Sequence, residues 1–235
     1  MFQQEIFVVD NGSKDGTKRI IEAFRRRSTH PMTAIYLQKN RGTTYSRNLA
    51  LKRAKGKFIV IMDSDIQITH GALETLIEVI DGDANIGLVA PKLIYPNGKI
   101  QKSTDRFPTV GSKLKRFFLL RQIERSMLQN PGRQTVDYAI SAFWVLRKSM
   151  LEKVGYLDEN IFVAPEDADY CLNIWRQGHR IIYIPDAVAI HKAQELSRGI
   201  GMNKAKYEHL RGLYYYFKKH NYWFFAPKPR CAWRA

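Results

Sequence analysis

Residues 57–65 constrain the fold more than any other stretch of the chain. They read KFIVIMDSD, so the five apolar residues Phe58–Met62 are followed at once by two carboxylates with one serine between them. A short apolar run rich in β-branched residues predicts a buried strand. Carboxylates directly after such a strand predict a site at its carboxyl end, where open α/β sheets bind their ligands.

The two carboxylates, Asp63 and Asp65, are separated by one residue. In an extended chain this spacing places both on one side, where they repel each other unless a cation or a hydrogen-bond donor lies between them. A divalent metal ion meets this requirement. For an isolated D-x-D, a turn with a solvated second carboxylate is the favoured interpretation, so the metal site depends on partners elsewhere in the chain.

Helix and strand signals alternate on both sides of this run. Strands are predicted at 5–9, 34–37 and 86–90, and helices over 43–54 and 71–80. This alternation predicts a parallel sheet flanked by helices.

The first predicted helix carries an apolar stripe. It begins at Asp15 or Thr17, both N-cap residue types, and Ile20, Ile21 and Phe24 follow at helical spacing. We expect this stripe to be buried.

Later signals predict a mixed sheet. Residues 95–99 read YPNGK, which is typical of a hairpin turn. A strand over 180–184 is expected to end at Pro185, and His191 follows after the run DAVAI.

Composition sets broad limits on function. The 235 residues, 45% of them apolar, suffice for one large domain with its own core. Cys171 and Cys231 lack the paired spacing of a zinc site or a disulfide framework, so a reducing, cytoplasmic setting is expected. No apolar run approaches the roughly 20 residues that a membrane span needs.

The charge balance predicts an anionic partner. The chain has 38 Lys and Arg against 22 Asp and Glu, a formal net charge of +16. Nucleic acid, an anionic lipid surface and a diphosphate-bearing substrate all meet this expectation. Aromatic residues interleaved with Lys and Arg from 204 onwards suit a membrane interface. Packing of the helix on the domain is favoured for 210–217, and 222–225 fit either interpretation.

Six motifs in order resemble those of the family-2 glycosyltransferases, especially the rhamnosyltransferase-like branch. They are VVDNGSKDGT, NRGTTYSRNLAL, IMDSD, GLVAPKLIYPNGKIQ, PEDADYCL and a strand with a proline that leads to His191. The resemblance covers residues 5 to about 220 and implies a GT-A (nucleotide-diphospho-sugar transferase) fold, an α/β domain with a mixed, mostly parallel central sheet flanked by helices. It also implies a nucleotide-diphosphate sugar donor, a divalent metal ion and inversion at the sugar carbon.

The resemblance assigns a metal site. Asp63 and Asp65 match the family's D-x-D motif, in which Asp65 ligates the metal and Asp63 contacts the ribose or helps to hold the metal. His191 matches a histidine that often completes the coordination. Oxygen ligands with one imidazole suit Mn²⁺ or Mg²⁺. Without the resemblance, His191 would be interpreted as an ordinary core or surface histidine.

The resemblance also assigns a base. Glu166 and Asp167 match the family's E-D pair, which implies Asp167 as the base, Glu166 as the second candidate and Asp169 as a structural residue. Without it, acidic residues in a first helical turn would be interpreted as complements of the helix dipole.

Three further residues match nucleotide-binding positions. Asp10 matches the aspartate that accepts a hydrogen bond from the ring N–H of uracil or thymine, and Asn40 and Arg47 match positions that line the nucleotide. Arg47 is a candidate for contact with the diphosphate or the base edge. On their own, Asn40 would be interpreted as a capping residue and Arg47 as part of a solvated face.

Two features depart from the family pattern. Asn173 stands where the family usually has an arginine, so the salt bridge that normally braces the base-bearing helix is not expected. Family members also carry a central strand and a helix before the strand predicted at 5–9. Either the chain is a piece of a longer protein, or another segment or a second molecule fills this place.

A version of the chain with roughly 30 more N-terminal residues, one strand plus one helix, is expected to be more stable and more active. The added strand would supply core contacts and part of the nucleotide site. Equal melting temperatures and equal turnover of the two versions would contradict this expectation.

The sequence thus predicts a GT-A domain over 1–200, N-terminally incomplete, and a helical, basic-aromatic tail over 201–235. The predicted activity is metal-dependent, inverting transfer of a sugar, with rhamnose as one candidate, to a glycan or lipid-linked acceptor in cell-wall or polysaccharide biosynthesis. We expect a cytoplasmic protein in peripheral contact with anionic membrane, and acceptor contacts over 107–133. The alternatives are a nucleotidyltransferase and a non-catalytic basic module that binds nucleotide or, less favoured, nucleic acid.

Overall fold

The computed structural model describes residues 3–113, 132–193 and 204–227. Helices α1 to α6 span Thr17–Arg27, Thr43–Leu51, Ala72–Gly82, Lys148–Val154, Glu166–Arg176 and Lys204–His220. Strands β1 to β11 span Ile6–Asp10, Met32–Tyr36, Phe58–Met62, Ile66–Ile68, Ile86–Ile94, Ile100–Gln101, Thr104–Asp105, Gln134–Thr135, Tyr138–Ala139, Phe143–Arg147 and Arg180–His191. Most of the predicted acceptor segment 107–133 lies outside the described residues, as does Cys231.

The central sheet is mixed, as predicted, but the expectation that it is mostly parallel is wrong: within the described residues, β5-β11 is its one parallel pair. Its strand order is β3-β10-β5-β11-β4, with β6 against β5 and β8 against β11. β5 and β11 are parallel, whereas β10 is antiparallel to both β3 and β5. Strands β3, β5 and β11 therefore point in the same direction, and their carboxyl ends lie at one edge of the sheet.

Helices cover both faces of this sheet. On β10, Trp144 and Leu146 join one apolar cluster with residues of α2, α4, α5 and α6, while Phe143 and Val145 join a second cluster with α3. This alternation follows from the period of two along a strand. Because α5 and α6 pack in the same cluster as β3, the helix that carries Glu166 and Asp167 is fixed against the strand that precedes Asp63.

Strands β1 and β2 form a separate parallel pair. Within the described residues, β1 pairs only with β2, and β3 pairs only with β10. The carboxylate of Glu5 connects this pair to the rest of the domain, since its Oε1 accepts hydrogen bonds from Lys55 N at 2.6 Å and Gly56 N at 3.2 Å.

Helix α1 has neither predicted N-cap residue at that position and does not bury its stripe. The helix begins at Thr17 with Gly16 as its N-cap, and Asp15, just before it, accepts a hydrogen bond from Thr17 N at 2.9 Å. Ile20 and Phe24 are 68% and 58% exposed, however. The expectation of a buried stripe is wrong because α1 packs on the narrow β1-β2 pair, which leaves these side chains uncovered by the described residues.

Strand β11 is longer than predicted. Pro185 does not end it: the strand continues to His191, with a shift in its pairing to β5 between Ile184 and Val188. A proline has no N–H to donate, and such an irregularity accommodates it within a sheet. The extension pairs His191 with Ile66 of β4, next to Asp65.

The hairpin predicted at 95–99 is confirmed. Tyr95 N donates to Lys99 O at 2.8 Å, and Gly98 adopts a positive φ of 78°. The turn pairs β6 with the end of β5. It thereby places Gln101, at the end of β6, beside the carboxyl edge of the sheet.

Candidate active site

Asp63, Asp65 and His191 come together at the carboxyl edge of the sheet. One carboxylate oxygen of each aspartate and one ring nitrogen of the histidine all lie within 4.8 Å of one another. The chain at Asp63 turns rather than extends, because Ile66 N donates to Asp63 O at 3.2 Å. The expected extended geometry is therefore wrong, yet the turn still brings the two carboxylates together.

The histidine is held by its neighbours on both sides. His191 is buried, and its Nε2 lies 3.4 Å from Asp65 Oδ1. Its Nδ1 lies 2.8 Å from Oε1 of Gln101, which can only accept, so an Nδ1–H can donate to Gln101 and leave Nε2 as the ring nitrogen available to a metal ion beside Asp65. This is the arrangement by which outer partners orient a metal-binding histidine.

These three side chains fit one divalent ion. An ion with bonds of about 2.1 Å keeps neighbouring ligand atoms roughly 3 Å apart and opposite ones roughly 4 Å apart. The 3.4 Å between His191 Nε2 and Asp65 Oδ1 suits neighbouring ligands, and one carboxylate oxygen of Asp63 lies within 4.8 Å of a ligand atom of each. Two carboxylates and one imidazole suit Mn²⁺ or Mg²⁺.

Replacing Gln101 with leucine is expected to weaken Mn²⁺ binding about 10–100-fold, because His191 loses the partner that fixes its ring and tautomer. Free Mn²⁺ in a titration can be measured by electron paramagnetic resonance. The matched control is Gln67→Leu, a change at an exposed glutamine on β4. Equal Mn²⁺ affinities for Gln101→Leu and the control would contradict the role given to Gln101.

Arg47 connects the metal-binding group to helix α5. Its Nη2 donates to Asp63 Oδ1 at 2.6 Å, and its Nη1 lies 2.7 Å from Ser141 Oγ and 3.3 Å from Glu166 Oε1. The Arg47 side chain is only 13% exposed. Its guanidinium is thus bonded to two carboxylates of the protein itself, and its contact with the nucleotide stays a prediction.

Glu166 is buried at the start of α5. Its Oε1 accepts a hydrogen bond from Ser141 Oγ at 2.7 Å. Burial raises the pKa of Glu166 to about 7, the charge of Asp167 acts in the same direction, and Arg47 opposes them. Ser141 has no local sequence signal that marks it as part of a site.

The Glu166 carboxyl group should make stability depend on pH. Its pKa rises from 4.5 to about 7 on folding, so between these values the folded chain keeps a proton that the unfolded chain has released. This group therefore lowers the free energy of unfolding as pH rises through that window, by about 3 kcal/mol in total.

The variant Glu166→Gln has no titrating group at this position, so its stability relative to the wild type is expected to increase by roughly 2–3 kcal/mol between about pH 5 and about pH 8. Chemical denaturation of both proteins at the two pH values measures this. A stability difference that does not change with pH would show that the buried carboxyl does not titrate in this window.

Asp167 is placed differently from Glu166. It is half-buried, and its Oδ1 accepts a hydrogen bond from Ala168 N at 2.7 Å. Burial raises the pKa of Asp167, against the charges of Lys113 and Arg47. Asp167 is therefore a carboxylate in the first turn of α5, next to the Arg47 network.

Asp169 faces away from this network. It is 2% exposed, and its carboxylate lies 2.7 Å from both His220 Nε2 and Lys219 Nζ of helix α6. The interpretation of Asp169 as structural agrees with this geometry. Asn173 was not expected to brace α5 through a salt bridge. Lys219 and His220 of α6 brace this helix through Asp169 instead.

The predicted nucleotide residues Asp10 and Asn40 lie in two adjoining loops. Asp10 is 7% exposed, and its Oδ1 accepts from Ser13 N at 3.0 Å. Asn40 Oδ1 accepts from Asn11 Nδ2 at 3.0 Å and from Gly42 N at 2.9 Å. Asn40 thus fixes the loop after β2 to the loop after β1, and its part in nucleotide binding stays a prediction.

Comparisons with known proteins identify the family. Residues 2–155 match the family described as Glycosyl transferase family 2. A pre-mycofactocin glycosyltransferase of Mycobacterium tuberculosis is 30% identical over 169 residues, 72% of this chain and 34% of the relative. The poly-beta-1,6-N-acetyl-D-glucosamine synthase of Staphylococcus aureus is 23% identical over 205 residues, 87% of this chain and 47% of the relative. The chain spans less than half the length of either relative.

Solved structures show the same fold. GalNAc-T7 with UDP, GalNAc and Mn²⁺ has a TM-score of 0.67 at 13% identity, over 91% of this chain and 41% of that one. The mannosyltransferase PcManGT from Pyrobaculum calidifontis, in complex with GDP-Man and Mn²⁺, has a TM-score of 0.63 at 21% identity, over 96% and 57%. The predicted GT-A fold is confirmed by these likenesses. With more than half of its length matched by the family, the chain belongs to glycosyl transferase family 2.

Proposed function

We propose that this chain transfers a sugar from a nucleoside-diphosphate donor to an acceptor hydroxyl in a single, inverting displacement. One observation carries the proposal: a set of neighbouring side chains runs from His191 and Asp65 through Asp63 and Arg47 to Glu166, at the start of α5. One arginine thus links the candidate metal-binding group to the residue before the candidate base, Asp167.

The metal-binding group serves the leaving side of the reaction. When bound to Asp63, Asp65 and His191, Mn²⁺ or Mg²⁺ would neutralise the charge of the departing diphosphate. Both structural neighbours named above were solved with Mn²⁺ and with a nucleotide, UDP or GDP-Man. Asp63, Asp65 and His191 would supply the ligand atoms. Gln101 would fix His191 in the tautomer that leaves Nε2 unprotonated.

Asp167 serves the attacking side as the base. The acceptor oxygen bonds to the anomeric carbon as the bond from that carbon to the phosphate oxygen breaks, and the electron pair of the broken bond leaves with the diphosphate. The hydroxyl proton passes to the Asp167 carboxylate. No enzyme nucleophile is required. The raised pKa of Asp167 suits a base, because proton transfer is most efficient when the pKa lies nearer to the operating pH.

Hydrogen bonds within the protein distinguish Glu166 from Asp167. Arg47 and Ser141 both donate to Oε1 of Glu166, so this carboxyl group is already bonded within the protein. We assign Glu166 a positioning role, holding the start of α5 against the Asp63 side, and leave the acceptor proton to Asp167. The acceptor is proposed to be a glycan or a lipid-linked hydroxyl.

The test is a panel of nucleotide sugars scored for thermal stabilisation with Mn²⁺ and with a chelator. We expect at least one UDP-, dTDP- or GDP-sugar to raise the melting temperature only with the metal, and to be hydrolysed or transferred slowly. Stabilisation by oligonucleotides, lost at high salt and indifferent to Mn²⁺, would instead support a nucleic-acid-binding module.

A further inference from the structure

The carboxyl-terminal helix α6 leaves an apolar face uncovered. Tyr207, Leu210 and Tyr214 are 61%, 55% and 60% exposed, and the turn after the helix adds Trp223, Phe224 and Phe225 at 38%, 70% and 89%. The rings of Tyr214 and Trp223 lie 5.9 Å apart and connect the two groups. We name these six side chains the aromatic stripe.

The helix behind the stripe is firmly held. Its opposite side buries Leu213, Tyr216 and Phe217 in the core, and Lys219 and His220 bond to Asp169. An exposed face on an anchored helix is a fixed surface of the folded domain. Contiguous exposed apolar side chains of this kind mark interaction sites.

The charge around the stripe is positive. Arg211 and Lys218 lie at helical spacing from Tyr207 and Tyr214, on the same side of α6, and both are exposed. Glu208 lies 3.6 Å from Arg211, but its side chain is only 14% exposed against 67% for Arg211. The outer surface of the helix therefore offers aromatic rings and cations, which is the composition of a membrane-interface helix.

Helix α6 packs beside the segment that leads into α5. Its buried Gly212 lies so close to the carbonyl of Ala164 that any Cβ there would overlap with it. Ala164 is two residues before Glu166, so the inner face of α6, opposite the stripe, packs against the segment before the Glu166-Asp167 pair. Beyond the helix, Trp223 O accepts a hydrogen bond from Val110 N at 2.8 Å, which fixes the turn that carries part of the stripe.

We propose that the aromatic stripe docks on an anionic lipid bilayer and so holds the domain at the surface where an acceptor hydroxyl carried by a membrane lipid would lie. The choice of lipid over nucleic acid follows from the ratio of six apolar or aromatic side chains to two cations. Nucleic-acid binding is dominated by cations that contact phosphates. Within the described residues, no helix is long and apolar enough to cross a bilayer. The lipid-borne acceptor rests on the proposed function, whereas the docking itself does not.

The test is flotation with vesicles of phosphatidylcholine alone and of phosphatidylcholine mixed with phosphatidylglycerol. We expect binding to the anionic vesicles, weakened at least about tenfold in Phe224→Ser/Phe225→Ser, because burying one phenylalanine contributes about a factor of ten. The matched control is Ile20→Ser/Phe24→Ser, which removes similarly exposed apolar side chains from α1 and should leave binding unchanged.

Three results would overturn the docking proposal: equal binding by the stripe variant, loss of binding in the α1 control to the same extent, or a dimer without lipid that the stripe variant abolishes. Such a dimer would mean that the stripe binds a second copy of the chain. Turnover of donor with a water-soluble acceptor separates the two proposals. Vesicle binding without turnover would contradict the proposed function and support the docking. Turnover without vesicle binding would support the proposed function and contradict the docking.

Discussion

Replacing Asp167 with asparagine is expected to lower the turnover number about 10²–10⁴-fold, the usual contribution of a positioned general base. Asparagine keeps the size of the side chain and the oxygen that accepts from Ala168 N, but it cannot take a proton. Mn²⁺-dependent binding of the donor should be unchanged, since Asp167 does not belong to the group formed by Asp63, Asp65 and His191. Steady-state turnover and donor affinity, measured on the same preparation, test both parts.

The comparison variant is Glu166→Gln. Glutamine can still accept from Ser141 and Arg47 through its side-chain oxygen, so we expect a loss of turnover well below that of Asp167→Asn. If Glu166→Gln is the inactive protein and Asp167→Asn stays active, the two carboxyl groups exchange roles. In that case Glu166, with its pKa of about 7, is the base.

The second large effect is expected at Asp65. The variant Asp65→Ala should lose at least about 100-fold in turnover at limiting Mn²⁺, because removal of a ligand should cost no less than removal of an outer partner. The fold should be retained, since the Asp65 side chain is 33% exposed and its described contact is with His191. The matched control is Asp186→Ala, an exposed aspartate on the same strand as His191. Equal turnover of both variants would remove the metal from the account.

Local patterns were sufficient to predict the parts of the site that lie close together in sequence. The apolar run before Asp63 and the acidic cluster around Asp167 are visible in short windows, and their types and positions match the structure. The order of the motifs added His191, which has no local signal of its own. These features depend on backbone periodicity and helix-end chemistry, which a short window contains.

Contacts across long sequence separations could not be predicted in this way. Arg47 bonds to Ser141 and Glu166, 94 and 119 residues away, and Gln101 meets His191 across 90 residues. Such pairs are set by how β3, β5 and β11 align at one edge of the sheet. Gln101 could have been predicted as a site residue, because it is the last residue of the motif GLVAPKLIYPNGKIQ. Nothing in the sequence around Ser141 distinguishes it from an ordinary loop serine.

The errors in the fold prediction have related causes. A periodic stripe predicts which face of a helix is apolar but not whether a partner covers it, and α1 lies on a pair of strands too narrow to do so. Pro185 is tolerated inside β11 because the pairing with β5 shifts there. Sequence alone does not predict this irregularity. The longer strand is also the reason that His191 reaches Asp65.

The most direct test of the account is a calorimetric titration of UDP, dTDP and GDP into the protein, with Mn²⁺ and with a chelator. The account predicts that at least one nucleoside diphosphate binds the wild type, Asp167→Asn and Asp186→Ala in the presence of Mn²⁺, and that Asp65→Ala weakens this binding at least about 100-fold. Binding of the same strength in Asp65→Ala, or in the wild type without metal, would contradict the claim that Asp63, Asp65 and His191 hold the ion at which the diphosphate binds.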